Sequence, residues 1–196
     1  DEPAILSRVT GPGTGVAVRG VDVVTVSGSQ LMTIDARASS GPVLHAHYRP
    51  PAGAGGMDWV GSTLYLTSGG QGPELTLLDT TNPAQPVELF HLGLTPAGGE
   101  VCVVGDHVYL AAGRRGLRSL EAPPCPPFCA EGQAHAPEAV IYDPMDTLNR
   151  VFAYPDQPGR IYGAGQAGWS ITNVASSRLP QPRSRMQTET PVHGLV

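Results

Sequence analysis

The feature that most constrains this chain is a nine-residue segment that occurs three times without gaps. Its copies are "GVDVVTVSG" at 20–28, "GSTLYLTSG" at 61–69 and "GDHVYLAAG" at 105–113, so their starts lie 41 and 44 residues apart. Each copy has a glycine at either end, with apolar residues alternating with polar or small ones between them. This alternation is typical of a β-strand, and glycine tolerates the positive φ angles of tight turns. The chain therefore repeats one strand unit at a nearly fixed interval.

The surrounding sequence repeats together with this segment. A short strand precedes each copy ("VAVRG", "MDWVG" and "EVCVVG"), and another follows it ("QLMTIDA", "ELTLLDT" and "LRSLEA"). After the first two copies a linker runs from Asp35 to Pro42 and from Asp79 to Pro86, and the fourth strand is "PVLHAHY" or "PVELFHL". The unit is therefore four short strands in about 42 residues, joined as an antiparallel meander.

A unit of this kind is typical of a blade of a β-propeller. One small sheet cannot cover its own faces, and neighbouring blades bury them. A β-sandwich is the alternative, but it does not require strands copied at a fixed interval. The sequence leaves almost no room for helix, so it predicts an all-β protein. Tyr65, Tyr109 and Tyr162 fall at corresponding second-strand positions, and this ladder predicts rings packed between the blades.

Two segments carry a resemblance to a known family. "VYLAAGRRGL" at 108–117 and "LLDTTNPAQPV" at 77–87 resemble the two halves of the LVIVD repeat, which reads roughly G-x-x-A-Y-V-A-x-G-x-x-G-L-x-V-I-D-V-S-D-P-x-x-P. The resemblance covers residues 3–122 best and the rest in pieces. It implies a β-propeller, usually of an exported or cell-surface bacterial protein. It implies no established catalytic residues that could be transferred to this chain.

The repeat divides residues 1–196 as a single propeller domain. Ala4 to Val9 aligns with the fourth strand of a blade, which suits a propeller whose last blade is completed by the N-terminal segment. The predicted parts are a closing strand and opening turn at 3–15, blades at 16–55 and 56–98, a partial blade at 99–122, a Cys/Pro-rich insertion at 123–137, and partial blades at 138–196.

The pattern breaks after residue 122. "AVIYDPMDTLNRVFAY" looks like a third and a fourth strand, with Arg150 where the linker proline belongs. "RIYGAGQAGWSITNVASSRLP" looks like a second strand, a third strand and a linker, with Asn173 in place of Asp and Pro180 seven residues later. The first of these segments lacks a first and a second strand before it, and the second lacks a first strand. Two explanations remain open: degenerate blades around an insertion, or stretches of the native chain that are missing from the sequence. The second is favoured because the neighbouring strands stay recognisable, and we expect the native protein to continue past Val196.

Composition excludes several classes of function. Charged residues make up only 15% of the chain and the net charge is -5, so there is no basic surface for nucleic acid. No apolar run is long enough for a transmembrane helix, and no signal peptide is visible. The 25 glycines and 20 prolines fit many turns between short strands.

The segment "APPCPPFCAEG" does not repeat. Cys125 and Cys129 have a spacing that permits a small-loop disulfide in an oxidising compartment, and two unpaired loop thiols are the alternative. Insertions on a repeat scaffold tend to carry binding, so residues 123–137 are the expected contact for a protein partner. An inert, disulfide-pinned loop is the alternative.

Histidines offer a weak candidate for a metal site. His45 and His47 lie two apart on one strand and therefore face the same way, and His91 on the equivalent strand of the next blade is a conceivable third ligand. Surface histidines on outer strands are the alternative. No cofactor is predicted, although Ca²⁺ or Zn²⁺ is not excluded by the residues.

Carboxylates that end third strands are predicted to be structural turn caps. A short polar side chain at such a position accepts main-chain N–H bonds from the linker that follows it. Calcium binding is the alternative, but the linkers lack the dense oxygen ligands of an EF-hand loop. The predicted caps are Asp35, Asp79, Asp143 and Asn173.

The sequence therefore predicts a secreted or cell-surface β-propeller that acts as a non-catalytic binding or assembly module. It is expected to be a subunit of a larger extracellular or periplasmic complex. The alternative is a propeller enzyme, a hydrolase or lyase with a metal in the central channel. The first-strand segments offer Asp58 and Glu100 for such a site but no histidine.

Overall fold

The structure, a computed structural model, contains four antiparallel sheets of four strands each. It describes residues 15–20, 22–27, 30–35, 42–49, 55–67, 74–93, 99–114, 116–121, 139–141, 147–154, 156–157, 159–166, 168–174 and 181–187. These residues include no helix, and hence no helix long and apolar enough to cross a membrane.

The sheets follow one another along the chain and are named blades 1 to 4. Blade 1 contains β1 (Gly15–Arg19), β2 (Asp22–Ser27), β3 (Gln30–Asp35) and β4 (Val43–Tyr48). Blade 2 contains β5 (Met57–Val60), β6 (Thr63–Thr67), β7 (Glu74–Asp79) and β8 (Val87–Gly93). Blade 3 contains β9 (Val101–Val104), β10 (His107–Ala111), β11 (Leu117–Glu121) and β12 (Ala139–Ile141). Blade 4 contains β13 (Leu148–Phe152), β14 (Arg160–Gly165), β15 (Gly168–Asn173) and β16 (Gln181–Gln187).

Each blade is a meander in which strands adjacent in sequence pair with one another. The first strands of successive blades lie side by side, since β5 contacts both β1 and β9, and β9 contacts β13. The first strands are therefore the inner strands of the propeller, and the fourth strands are the outermost ones.

The core lies between the blades, in three apolar clusters. Leu64 and Leu66 of β6 belong to the cluster shared with blade 1, whereas Tyr65 between them belongs to the cluster shared with blade 3. Every residue of β6 and of β10 is buried. Alternate side chains of the repeated segment therefore face the preceding and the following blade, and both faces of the strand are buried.

Glycines end the inner strands where the sequence predicts turns. Gly20, Gly61 and Gly105 have φ angles of 59°, 58° and 61° and begin the two-residue loops between the first and second strands. Two-residue hairpin loops require positive φ, which glycine adopts without steric cost. A substitution at these positions would therefore strain the backbone.

The strand assignments after residue 122 require correction. Ala139 pairs with Ser119 and Ile141 with Leu117, so β12 is the fourth strand of blade 3 and not a third strand. Residues 148–152 pair with β14 and form the missing first strand of blade 4, so Arg150 lies on an inner strand and not in a linker. The described strands thus fill every position in both blades.

Two physical features explain the error. Residues 122–138 separate β12 from β11, which hides that pairing from a pattern of fixed period. In addition, the register of β13 against β14 shifts between Leu148 and Arg150, a β-bulge that disturbs the alternation. Asp143 therefore does not end a third strand. The counterpart of Asp79 in blade 3 is Glu121, which pairs with His107 as Asp79 pairs with Thr63.

Candidate functional site

The inner strands enclose two adjoining cavities, of about 330 and 480 Å³, which we call the inner-strand cleft. Met57, Glu100 and Arg150 line both cavities, and Gly15 and Val16 line the second, so the cleft spans all four blades. It lies where the first strands begin. This is the end of each sheet opposite the turn glycines.

Main chain forms much of the cleft wall. A Cβ atom on Gly56 would lie 2.5 Å from Cα of Glu100, and one on Gly99 would collide with the carbonyl oxygen of Asn149. The Glu100 N–H donates to that same Asn149 oxygen at 3.1 Å. The two glycines therefore allow neighbouring inner strands to approach at backbone distance.

Thr67 joins blades 2 and 3 at the cleft. Its buried hydroxyl donates to the carbonyl of Gly99 at 2.7 Å and accepts from the Gly56 N–H at 2.8 Å. Sequence analysis did not single out Thr67, because a threonine in a strand carries no distinctive signal.

Asp58 is engaged on both carboxylate oxygens. Oδ1 accepts from the Trp59 N–H at 2.8 Å, and Oδ2 accepts from the Val103 N–H of blade 3 at 2.7 Å. Burial raises the pKa of Asp58 above its ordinary value, against the opposing effect of these two hydrogen bonds. The side chain therefore connects β5 to β9, which is a structural contact.

Cys102 lies beside Asp58 in the cleft wall and is buried. Burial raises the pKa of its thiol, and the nearby carboxylates of Asp58 and Glu100 raise it further. Since the thiolate is the nucleophile and the metal ligand, this thiol is chemically inert near neutral pH.

Glu100 and Arg150 form an ion pair between blades 3 and 4, with Oε1 2.5 Å from Nη1. Arg150 remains half exposed, so the pair forms part of the surface of the cleft. The side chains of Asp58, Glu100 and Arg150 thus all make contacts between blades. The charged side chains that line the cleft are therefore engaged in contacts with neighbouring blades.

The structure places one of the three histidines on which the metal prediction rests. His91 on β8 is exposed, and its Nδ1 lies 3.0 Å from Oε1 of Glu88. His47 occupies the equivalent position on β4, but the register shifts next to His45, so the alternation assumed for His45 and His47 is interrupted. Their side chains lie outside the described part. Among the described residues no three His, Cys, Asp or Glu side chains are grouped to hold a metal ion, and the site stays a prediction.

Asp79 ends β7, and its side chain caps the turn that follows. Its Oδ1 accepts from the Thr81 N–H at 2.8 Å, and hydrogen bonds from Thr81 lower the pKa of the carboxyl. Asn173 ends β15 at the corresponding position. Asp143 and the side chain of Asp35 lie outside the described residues.

The connections between third and fourth strands differ in one blade. In blades 1, 2 and 4 they are residues 36–42, 80–86 and 174–180, which is seven residues each. In blade 3 the connection is 122–138, which is seventeen residues. It contains Cys125 and Cys129, which lie outside the described residues. It leaves β11 at the end of the sheet that carries the turn glycines, away from the inner-strand cleft.

Comparison with solved structures relates this fold to β-propellers. A functionally unknown protein from Desulfotomaculum acetoxidans DSM 771 superposes with a TM-score of 0.71 at 9% identity, over 90% of this chain and 56% of that chain. The β-propeller domain of Cps50 (Swd1) from Myceliophteria thermophila gives 0.64 at 11% identity, over 88% and 57%. BamB from Moraxella catarrhalis gives 0.60 at 11% identity, over 88% and 47%.

These similarities confirm the predicted all-β propeller and, at such low identity, show the fold alone. The chain spans about half the length of the structures it matches. No family model matches the chain, and no curated protein is similar to it in sequence.

Proposed function

We propose that this protein is a secreted or cell-surface β-propeller that works without catalysis as a binding or assembly module in a larger extracellular or periplasmic complex. The observation that carries the proposal is the seventeen-residue connection in blade 3, where the other three blades use seven residues. The blade accommodates the extra residues without losing a strand. Such an insertion adds surface to a scaffold that does not need it for folding.

The insertion is the proposed contact for a protein partner. It is anchored between two paired strands, β11 and β12, so its ends are held at a fixed spacing. We propose that a disulfide between Cys125 and Cys129 restricts it further, which lowers the entropy lost on binding. The same bond would fit the proposed oxidising compartment and the resemblance of two segments to the LVIVD repeat.

The cleft supports the absence of catalysis in this proposal. Both oxygens of Asp58 accept main-chain hydrogen bonds, and Glu100 is paired with Arg150. These groups are engaged in holding the blades together. A propeller enzyme with a metal in the central channel has less support. To bind a metal ion, these carboxylates would have to give up their present hydrogen bonds and ion pair.

The binding proposal is tested by replacing the insertion with the chain's own short linker. In the test variant, "TTNPAQP" from residues 80–86 replaces residues 122–138. In the control variant it replaces residues 36–42. Each form is used for affinity capture from the native source, with quantitative mass spectrometry. We expect the wild type and the control to retain one stoichiometric protein partner, and the test variant to lose it by about tenfold or more.

Either of two results would overturn the proposal. Equal capture by the test variant would remove the insertion from the contact, and no stoichiometric partner for any form would remove the binding function. The disulfide is tested separately by intact mass of the secreted protein. We expect a mass about 2 Da below that of the fully reduced chain, with peptide mapping that joins Cys125 to Cys129.

A further inference from the structure

Blade 3 differs from the other blades at one cross-strand pair, at the end of the sheet that carries the turn glycines. In every blade the first residue of the second strand pairs with the last residue of the third strand. In blade 3 these residues are His107 and Glu121, and the seventeen-residue insertion begins directly after Glu121. The pairs in blades 1, 2 and 4 are Asp22 with Asp35, Thr63 with Asp79, and Arg160 with Asn173. Of these four pairs, only the one beside the insertion includes a histidine.

His107 is buried and yet lies between two carboxylates. Its side chain is 7% exposed, and its Nδ1 lies 2.6 Å from Oδ1 of Asp106, whose side chain is 83% exposed. Residues directly opposite each other in an antiparallel pair face the same side of the sheet, so the exposed Glu121 extends from the same face as His107. We call Asp106, His107 and Glu121 the root of the insertion.

The other neighbours of His107 within blade 3 place it on the face that packs against blade 4. Its ring stacks on that of Tyr109, with the ring centres 6.3 Å apart, and Val104 pairs with it from β9. Tyr109 and Cys102, the other titratable side chains described on this face, are buried in the apolar cluster shared with blade 4.

Blade 4 surrounds this face with apolar side chains and one carboxylate. Arg160 precedes Ile161 on β14, and the alternation along a strand directs it to the opposite face. Asp156, in the loop between β13 and β14, is exposed at the same end of the sheet. Burial therefore opposes a positive charge on the imidazole of His107, and the surrounding carboxylates favour it. The residues that blade 4 contributes to the cluster are Leu148, Val151, Ala153, Ile161 and Val174.

We propose that His107 makes the root of the insertion sensitive to pH. When its imidazole is protonated, it donates to Asp106 and offsets the charge of Glu121, which stabilises the end of β11 against β10. When the imidazole loses this proton, the two carboxylates remain without a positive charge between them. The pairing of β11 with β10 and β12, which anchors the insertion, then becomes weaker. Histidine is the side chain whose unperturbed pKa, about 6.5, places such a change near physiological pH.

The neighbouring carboxylate stays ionised over the range in which histidine titrates. The hydrogen bond with His107 lowers the pKa of Asp106 below its ordinary value of 3.8. The pair is therefore charged from about pH 4 upwards, and its contribution to stability is lost as pH rises above about 6.5. A weaker anchor would alter binding by the insertion, and this consequence alone rests on the proposed function.

The test is hydrogen exchange followed by mass spectrometry at about pH 5.5 and about pH 7.5. Exchange rates of peptides from β11 and β12 are divided by the intrinsic rates at each pH. We expect the protection of these strands in the wild type to be about three- to tenfold lower at the higher pH, since one pKa unit corresponds to tenfold. Protection of β7 in blade 2, measured in the same sample, corrects for any change in global stability.

Three variants assign the effect to the root. His107→Gln is expected to lose the pH dependence, whereas His91→Gln, at an exposed histidine paired with Glu88, is expected to keep it. Asp106→Asn changes an exposed side chain and is expected to reduce the pH dependence, so the test stays decisive even where His107→Gln fails to fold.

Wild-type protection that does not change with pH, or that rises with it, would overturn the proposal. The full pH dependence in His107→Gln or in Asp106→Asn would do the same. The measurement needs no partner, so this proposal and the proposed binding function can each fail without the other.

Discussion

The junction between blades 1 and 2 and the junction between blades 3 and 4 have the same geometry and different chemistry. In the first, Trp59 Nε1 donates to the hydroxyl of Thr80 at 2.8 Å, and that hydroxyl donates to the carbonyl of Ser62 at 2.7 Å. Arg19 of blade 1 lies 4.2 Å above the Trp59 ring and donates to the carbonyls of Gly61 and Thr80. A polar cluster therefore connects the two blades.

In the second junction the corresponding positions are apolar. Val174 takes the place of Thr80, and its N–H donates to Gly159 as the Thr80 N–H donates to Ser62. Tyr109, Val151 and Ile161 pack around it in one buried cluster. The same backbone hydrogen bond is thus present at both junctions, and the side chains between the blades are polar at one and apolar at the other. The difference predicts that the two junctions respond differently to substitution, salt and pH.

The largest effect is expected from Tyr109→Ala in the apolar junction. Tyr109 is almost fully buried, so the change leaves a large cavity and should lower the free energy of unfolding by about 3–5 kcal/mol. Urea denaturation followed by tryptophan fluorescence measures it. Tyr154→Ala is the matched control, because Tyr154 is exposed, and it should cost much less. A loss below about 1 kcal/mol at Tyr109 would show that packing is not what holds this junction together.

A smaller effect is expected from Thr80→Val, which makes the polar junction between blades 1 and 2 resemble the apolar junction between blades 3 and 4. Thr80→Val copies Val174 but removes the acceptor of the buried Trp59 N–H, so it should cost about 1–3 kcal/mol. Trp59→Phe removes the donor. In a double-mutant cycle the two changes together should cost less than the sum of their separate effects. Additive losses would contradict the hydrogen bond as the source of the stability.

The third effect depends on salt. Arg19→Met keeps much of the side-chain length but removes the cation over Trp59, and it should cost about 1 kcal/mol at low ionic strength. The cost should shrink in high salt because Arg19 is partly exposed, whereas the cost of Tyr109→Ala should not. The same urea titrations with and without added sodium chloride measure this difference. If the loss in free energy of unfolding does not depend on salt, Arg19 stabilises the junction by the packing of its aliphatic stem and not by its charge.

The sequence predicts the repeated parts of the fold well because glycine and alternation are local signals. Gly20, Gly61 and Gly105 start turns, and the strands between residues 15 and 121 lie where the pattern predicts. The prediction is wrong where a nonlocal contact decides the fold. Ala139–Ile141 is assigned to β12 by its partner β11, from which seventeen residues separate it, and no local feature of "AVI" distinguishes a third from a fourth strand.

Site residues are predictable from the sequence only in part, for a similar reason. Asp79 as a turn residue follows from its own neighbours, whereas the pairing of Arg150 with Glu100 depends on the contact between two blades. Thr67 and Thr80 carry no sequence signal, since their role depends on the carbonyls of Gly99 and Ser62, which are distant in sequence.

The smallest effect is expected at the junction between blades 2 and 3, where the carboxylate of Asp58 accepts the Val103 N–H of blade 3. Burial raises its pKa above the ordinary value of 3.8, so the folded protein binds this proton more tightly than the unfolded chain does. The contribution of Asp58 to stability is therefore fully present below pH 3.8 and is lost as pH rises through the folded pKa. Asp58→Asn lacks this titration and keeps a similar shape.

The measurement is the difference in unfolding free energy between wild type and Asp58→Asn, taken at several pH values from 3 to 7. The asparagine can accept only one of the N–H bonds from Trp59 and Val103, but that cost does not vary with pH and cancels from the slope. We expect the advantage of the wild type to decrease as pH rises. An advantage that increases instead would mean that the two N–H groups stabilise the carboxylate more than burial penalises it, which would make this junction another polar one.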